Sequence, residues 1–178
     1  FEDAKGTEEN QGQVADETAE LGAVYGTIFI EAKVFDMFSV GIDYMPIAIE
    51  GETVTNARSS DGGNADVGTN NASVDIEDHT TLYAIVPLGS DGVYAKIGAS
   101  IADVVVNENN FRNTTYSDEE LYGGHISLGY ERDFSGTFIR GEAGYSEYAT
   151  VESQSSSGDT RVKASLGGGM HARISVEK

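Results

Sequence analysis

Residues 160–177 alternate strictly through eight consecutive pairs: Val162, Ala164, Leu166, Gly168, Met170, Ala172, Ile174 and Val176 share one face. Arg161, Lys163, Ser165, Gly167, Gly169, His171, Arg173 and Ser175 share the other. A helix would scatter this pattern around its circumference, whereas an extended strand sorts it onto two faces. The run is long enough to cross a bilayer as a tilted strand, which takes ~9–11 residues. The chain is therefore restricted to folds built on long strands with one apolar and one polar face.

Six earlier segments, 23–35, 38–48, 80–88, 93–102, 121–132 and 137–146, are rich in Val, Ile, Tyr, Phe and Gly and mostly repeat this period, although 80–88 is apolar on both faces and 23–35 sets Phe29 beside Glu31 and Lys33. With 160–177 they predict seven antiparallel strands, and no long stretch carries a helical apolar stripe. At 178 residues the chain suits one domain, 1–178. No run of 18 apolar residues is present to make a transmembrane helix. With no Cys, disulfides and thiolate chemistry are excluded.

Short and long connections alternate. Asp36-Met37, Gly89-Ser90-Asp91-Gly92 and Asp133-Phe134-Ser135-Gly136 suit tight hairpins. Segments 49–79, 103–120 and 147–159 are long and polar, and 1–22 has the same composition. That alternation predicts an up-and-down transmembrane β-barrel, with short turns at one end and long acidic outer loops at the other. Such barrels have even strand numbers, so eight strands are expected with seven visible, the first standing before Phe1 behind a secretory leader. The four long segments hold 22 of the 30 acids but three of the 11 bases, which accounts for the whole net charge of −19. The remaining wall is neutral, and the overall charge argues against a nucleic-acid partner.

The polar faces predict a lumen network among Glu31, Lys33, Asp43, Lys96, Glu131, Arg140, Glu142, Arg161, Lys163, His171 and Arg173. Buried ions left unpaired cost several kcal/mol each, so opposite charges are expected to pair across a closed lumen. The opposite faces predict lipid contact through Ile126, Leu128, Ile139, Val162, Leu166, Met170 and Ile174. Phe35, Phe38, Phe134 and Phe138 flank the short turns, while Tyr44, Tyr122, Tyr145 and Tyr148 lie towards the long segments, as two aromatic girdles would.

The stretch from Gly129-Tyr130 through Asp133-Phe134-Ser135-Gly136 to Arg140-Gly141-Glu142-Ala143-Gly144-Tyr145 resembles a hairpin of the small outer-membrane β-barrels of the OmpA/OmpX/OmpW kind. The Gly-rich run Ala164-Ser165-Leu166-Gly167-Gly168-Gly169-Met170 is similar to their last strand. By pattern the likeness runs from about Val24 to Val176, with specific wording over the last third. It implies a Gram-negative outer membrane, with marine bacteria a plausible source. The chain departs from those barrels in ending Val176-Glu177-Lys178 rather than on an aromatic residue, so both ends are expected to be incomplete.

Catalytic chemistry has little to stand on. His79, His125 and His171 show no zinc spacing, and no nucleophile elbow or triad is recognisable, so no enzyme is expected. Gly123-Gly124 and Gly167-Gly168-Gly169 lack the strand-to-helix setting of a phosphate loop and are read as sites of bending and close packing. Asp75, Glu77 and Asp78, and Asp118, Glu119 and Glu120, are candidate ligands for Ca²⁺ or Mg²⁺. Those ions would bridge the carboxylates to lipopolysaccharide or to a neighbouring barrel. The expected role is structural or surface interaction, with lateral self-association or a phage or other surface partner. One alternative is a barrel binding or transporting a small hydrophobic ligand near Phe29, Tyr83, Ile85 and Phe138. A second is a soluble all-β coat or filament subunit.

Overall fold

The computed structural model describes residues 4–10, 13–19, 22–35, 37–51, 53–58, 68–109, 117–154 and 160–177. Among them are twelve strands and no helix. In chain order these are β1 (Ala4–Asn10), β2 (Gln13–Ala19), β3 (Ile28–Val34), β4 (Phe38–Tyr44), β5 (Val54–Arg58) and β6 (Gly68–Pro87). They continue with β7 (Val93–Asn109), β8 (Glu119–Asp133), β9 (Phe138–Tyr148), β10 (Thr150–Gln154), β11 (Thr160–Leu166) and β12 (Gly168–Glu177).

Seven strands form one antiparallel sheet in the order β12-β9-β8-β7-β6-β4-β3, with β5 added against the start of β6. They correspond to the seven expected segments, with different ends: β4 stops at Tyr44 rather than at 48. β3 begins at Ile28, because its ladder to β4 runs from Ile28↔Tyr44 to Val34↔Phe38 and residues 22–27 have no strand partner. The long final run divides at Gly167 into β11 and β12, which belong to different sheets.

The stretches expected as loops contain much strand. β10-β11-β1-β2 make a second antiparallel sheet, and β6 and β7 run on past the apolar segments as far as Gly68 and Asn109. Once a ladder exists, polar residues can extend it by backbone hydrogen bonds, and on the prolonged β6 and β7 the pairs Val74↔Val106 and Ile76↔Val104 add apolar positions at every second residue. The short connections are tight. Gly89 and Gly92 (φ 98° and 83°) turn β6 into β7, and Ser135 and Gly136 (φ 58° and 86°) turn β8 into β9. The backbone N–H of Gly136 donates to Asp133 Oδ1 at 3.1 Å.

The seven-stranded sheet is open, with β3 and β12 as its edges. It is also strongly curled. β9 and β3 stand five strand spacings apart, ~24 Å if the sheet were flat. Arg140 of β9 nevertheless reaches Glu31 of β3 at 2.5 Å. Arg173 of β12 likewise pairs with Asp43 of β4, also five spacings away along the sheet. Only a wall wrapped around a common interior brings those side chains together.

Glycines make room for the large side chains on the inner face. On the inner face Tyr94 of β7 stands directly opposite Gly129 of β8, and Tyr83 of β6 opposite Gly41 of β4. A Cβ at either glycine would stand only 2.3–2.4 Å from the facing phenol, closer than a carbon can approach. The pairs Gly98–His125, Gly123–Tyr148 and Gly144–His171 repeat the device. Gly129→Val is therefore expected to lower stability by about 1–3 kcal/mol or more through overpacking. Gly141→Ala, on the outer face with nothing within 4 Å of its would-be Cβ, should be close to neutral. Thermal unfolding of the two variants side by side is the check, and equal losses would contradict the packing.

Candidate functional site: an ion-paired interior within an apolar belt

Inward positions follow the parity read from sequence on every strand of the large sheet. Ser39, Gly41 and Asp43 of β4, Thr81, Tyr83 and Ile85 of β6, and Tyr94, Lys96 and Ser100 of β7 are all buried. So are Ser127 and Gly129 of β8, Arg140 and Glu142 of β9, and Gly169 and Ser175 of β12. Their arrangement is layered.

Towards the short turns, Arg140 is the hub. Its guanidinium donates to both carboxylate oxygens of Glu31, at 2.5 and 2.9 Å, and to Glu131 through Nε. Glu177 lies 3.9 Å away. Tyr83 adds a hydroxyl to Glu31 at 3.4 Å, and Tyr83, Ile85 and Tyr94 form a small apolar cluster beside it. Tyr94 Oη finds no hydrogen-bond partner among the described residues. Tyr94→Phe should therefore cost little stability, within about 0.5 kcal/mol, because the buried hydroxyl loses no bond. A large loss in denaturant unfolding would reveal a partner for it.

In the middle, Lys96 Nζ lies 3.4 Å from Glu142 and 4.1 Å from the centre of the Tyr83 ring. Ser127 donates to the same Glu142 at 3.3 Å. Arg173 pairs with Asp43, approaches Glu142 at 4.0 Å, and its guanidinium lies 5.4 Å from the Phe29 ring centre. Thr81 and Ser100 share a hydrogen bond of 2.8 Å.

Towards the long connections the interior changes character. His125 and His171 meet edge to face at 6.2 Å, Ser146 bonds His171 Nδ1 at 3.1 Å, and His79 bonds the Tyr148 hydroxyl at 2.9 Å. Above them Ala102, Val104 and Leu121 are buried in an apolar layer flanked by Ile76, Tyr148 and Val151.

Most of the expected network is brought together here: Glu31, Asp43, Lys96, Glu131, Arg140, Glu142 and Arg173 pair, while His171 bonds Ser146 rather than a carboxylate. Lys163 is a correction. It pairs with Glu152 across β10 and β11, half exposed in the second sheet, because the break at Gly167 takes it out of the large wall. Lys33 has the inward parity but is exposed at the end of β3, with no ion pair to a described residue. The side chains of Arg161, Val162 and Leu166 lie outside the described residues, and the backbone places all three on β11. The hydroxyls of Ser100, Thr81 and Ser127 and the ring of Tyr83 are contributors that a charge-based reading missed. Their inward parity was the available signal.

The outer face inverts this chemistry. Outward positions run Ile28, Ile30, Ala32 (β3), Val40, Ile42 (β4), Val86, Ala84, Leu82 (β6) and Val93, Ala95, Ile97, Ala99, Ile101 (β7). They continue with Tyr122, Gly124, Ile126, Leu128, Tyr130 (β8), Ile139, Gly141, Ala143, Tyr145 (β9) and Met170, Ala172, Ile174, Val176 (β12). None is charged. Ile126 and Leu128 are each 61 % exposed, and Met170 and Ile174 82 %. From Tyr122 to Tyr130 the belt spans eight residue rises, ~27 Å along the strand and ~20 Å in height at a 40° tilt.

Acids crown the belt on the long-connection side. Asp103, Glu120 and Glu147 occupy the next outward positions on β7, β8 and β9, with Asp78 at the bulge of β6. The Tyr44 hydroxyl donates to Asp78 and the Tyr122 hydroxyl to Glu120, each at 2.5 Å, which sets two phenols between the apolar and acidic zones. Of the candidate cation ligands, Asp75, Asp78, Glu119 and Glu120 are engaged locally. Asp75 accepts from the Gly51 N–H and from Asn107, and Glu119 from Ser117. Glu77 stands on β6, while Asp118 is exposed just before β8. Among the described residues, no three carboxylate, His or Cys groups converge as a metal site.

Comparison of the chain with protein-family models, curated proteins and solved structures gives no match.

Proposed function

We propose that this chain is a small transmembrane β-barrel of a bacterial outer membrane, with a structural or surface-interaction role and no catalytic one. One observation carries the reading: the sheet is inside out for water. A water-facing antiparallel sheet turns its polar side outward and buries its apolar side. Here ions and hydroxyls are buried, and Ile30, Ile97, Ile126, Leu128, Met170 and Ile174 stand exposed. Soluble monomers rarely expose contiguous apolar patches beyond a few hundred Å². Hydrocarbon is the medium in which a seven-strand belt of this kind is stable, and the belt's height approaches the ~25 Å apolar band of such barrels.

The interior supports a wall and anchor rather than a diffusion pore, since side chains fill a barrel of eight strands. The membrane itself and lipopolysaccharide are the immediate partners, and the acidic connections form the outward surface available to a further one. The test is partition. The folded protein should require detergent or lipid and should migrate faster unheated than boiled in a denaturing gel. A folded monomer that stays in detergent-free buffer would overturn the reading.

A further inference from the structure

The buried charges of the wall do not balance. Among the described residues, Glu31, Asp43, Glu131 and Glu142 face Lys96, Arg140 and Arg173 across the interior, four carboxylates to three cations. The excess lies towards the short turns, where Arg140 serves both Glu31 and Glu131. Glu31 and Glu142 are 8 % and 4 % exposed at their side chains, and an uncompensated charge at such depth costs several kcal/mol.

A second, independent observation falls at the same place. Tyr94 is 3 % exposed, and among the described residues its hydroxyl is the one buried side-chain polar atom with no hydrogen-bond partner. The ring leans from β7 across Gly129 of β8, so that Oη stands where a Cβ on that glycine would come. Gly129 is directly opposite Glu142 of β9, and the next inward pair along the ladder is Glu131 with Arg140. The hydroxyl is thus aimed at Glu142 with Glu131 beside it, and Glu142, Arg140, Glu131 and Glu31 are the charges that act on it. Both nearer carboxylates have acceptor capacity to spare. Glu142 is reached by Lys96, Ser127 and Arg173 at 3.4, 3.3 and 4.0 Å, and Glu131 commits Oε2 to Arg140, whereas an ionised carboxylate accepts at about four positions.

We propose that Tyr94 Oη and the carboxylates of Glu131 and Glu142 hold one monovalent metal cation of the sodium kind. Its oxygen ligands suit a hard cation. One positive charge brings the interior to zero, whereas a divalent ion would leave it positive. Nor do three acid or imidazole groups converge among the described residues to hold a divalent ion. The way in is from the short-turn end, where Glu131 and Glu177 are 30 % and 39 % exposed at their side chains. The apolar layer of Ala102, Val104 and Leu121 closes the interior on the other side. The site depends on burial of the interior and not on the medium around the wall.

Thermal unfolding of the full chain in mixtures of sodium chloride and N-methylglucamine chloride tests it. The organic cation is too bulky to enter, and a fixed total ionic strength holds surface screening constant. The wild-type melting temperature should be higher in sodium and should climb with the logarithm of its concentration, as linkage to one bound ion requires. Glu131→Gln removes the excess charge and a ligand together and should abolish the response. Tyr94→Phe should be near neutral without sodium and should need about fivefold more sodium for the same rise, the worth of one polar contact. Glu120→Gln, which alters an exposed outward carboxylate, should keep the wild-type response. Equal melting of the wild type in the two salts would overturn the proposal and assign the Tyr94 hydroxyl to a buried water. An unchanged response in either Glu131→Gln or Tyr94→Phe would also overturn it, as would loss of the response in Glu120→Gln. A chain that stays folded in detergent-free buffer would overturn the membrane reading and leave this comparison standing.

Discussion

Arg140→Met should destabilise the folded chain by about 3–5 kcal/mol, the range seen when one partner of a buried ion pair is removed. The magnitude follows from what is left behind. Arg140 is 10 % exposed at its side chain and Glu31 8 %, and the guanidinium is bonded to two carboxylates at once. Without it, Glu31 retains only the hydroxyls of Ser39 and of Tyr83, the latter at 3.4 Å, and two negative charges face each other across the interior. Arg140→Lys should recover only part of the loss, because an ammonium cannot reproduce the two-pronged contact with Glu31. The double variant Glu31→Leu, Arg140→Met should be more stable than Arg140→Met alone, since it removes an uncompensated charge. Equilibrium unfolding in detergent or lipid measures all three. A loss below about 1 kcal/mol for Arg140→Met would match an exposed surface pair and would contradict the buried one.

The second large effect lies on the other face. Leu128→Arg places a charge in the middle of the belt and is expected to cost about 2–4 kcal/mol in a bilayer. The neighbouring Ile97→Arg should behave alike. In water, a substitution at a 61 % exposed position would ordinarily fall within about 0.5 kcal/mol. The same variants therefore separate a membrane wall from a solvated sheet by their stability in lipid. The cost should shrink towards the interfaces, so Tyr122→Arg, next to Glu120, should be milder than Leu128→Arg. A flat profile along β8 would argue against a bilayer across it.

Parity was the legible part of this fold. Side chains at i and i+2 share a face whatever the tertiary context, so inside and outside could be assigned on 93–102, 121–132, 137–146 and the end of 160–177 before any pairing was known, whereas 80–88 is apolar on both faces and gave no such sorting. Tight turns were legible too, because Gly89, Gly92 and Gly136 must supply positive φ. Two things were not. The added strands β1, β2, β5 and β10 are held by ladder hydrogen bonds among largely polar residues, where no long apolar period marks a strand. Cross-interior partners were the other. Sequence placed Arg140, Arg173, Glu31 and Asp43 on inner faces, but which strand each crosses to depends on how tightly the sheet curls. Lys163 shows the cost of extending parity through a break: Gly167 ends the wall, and a residue with the inward pattern ends up on an exposed sheet paired with Glu152. Inward glycines opposite aromatic rings were visible as glycines only, since register decides which ring covers which backbone.

The central claim is that the charge-free outer face lies in hydrocarbon, and lipid-quenched fluorescence tests it most directly. The chain contains no Trp, so Leu128→Trp on the outer face and Ile85→Trp on the inner face each give a single reporter. In vesicles of lipids brominated along the acyl chain, Leu128→Trp should be strongly quenched and shielded from aqueous iodide, with Ile85→Trp much less affected by the bromines. Quenching of Leu128→Trp by iodide, with no response to brominated lipid, would contradict the account.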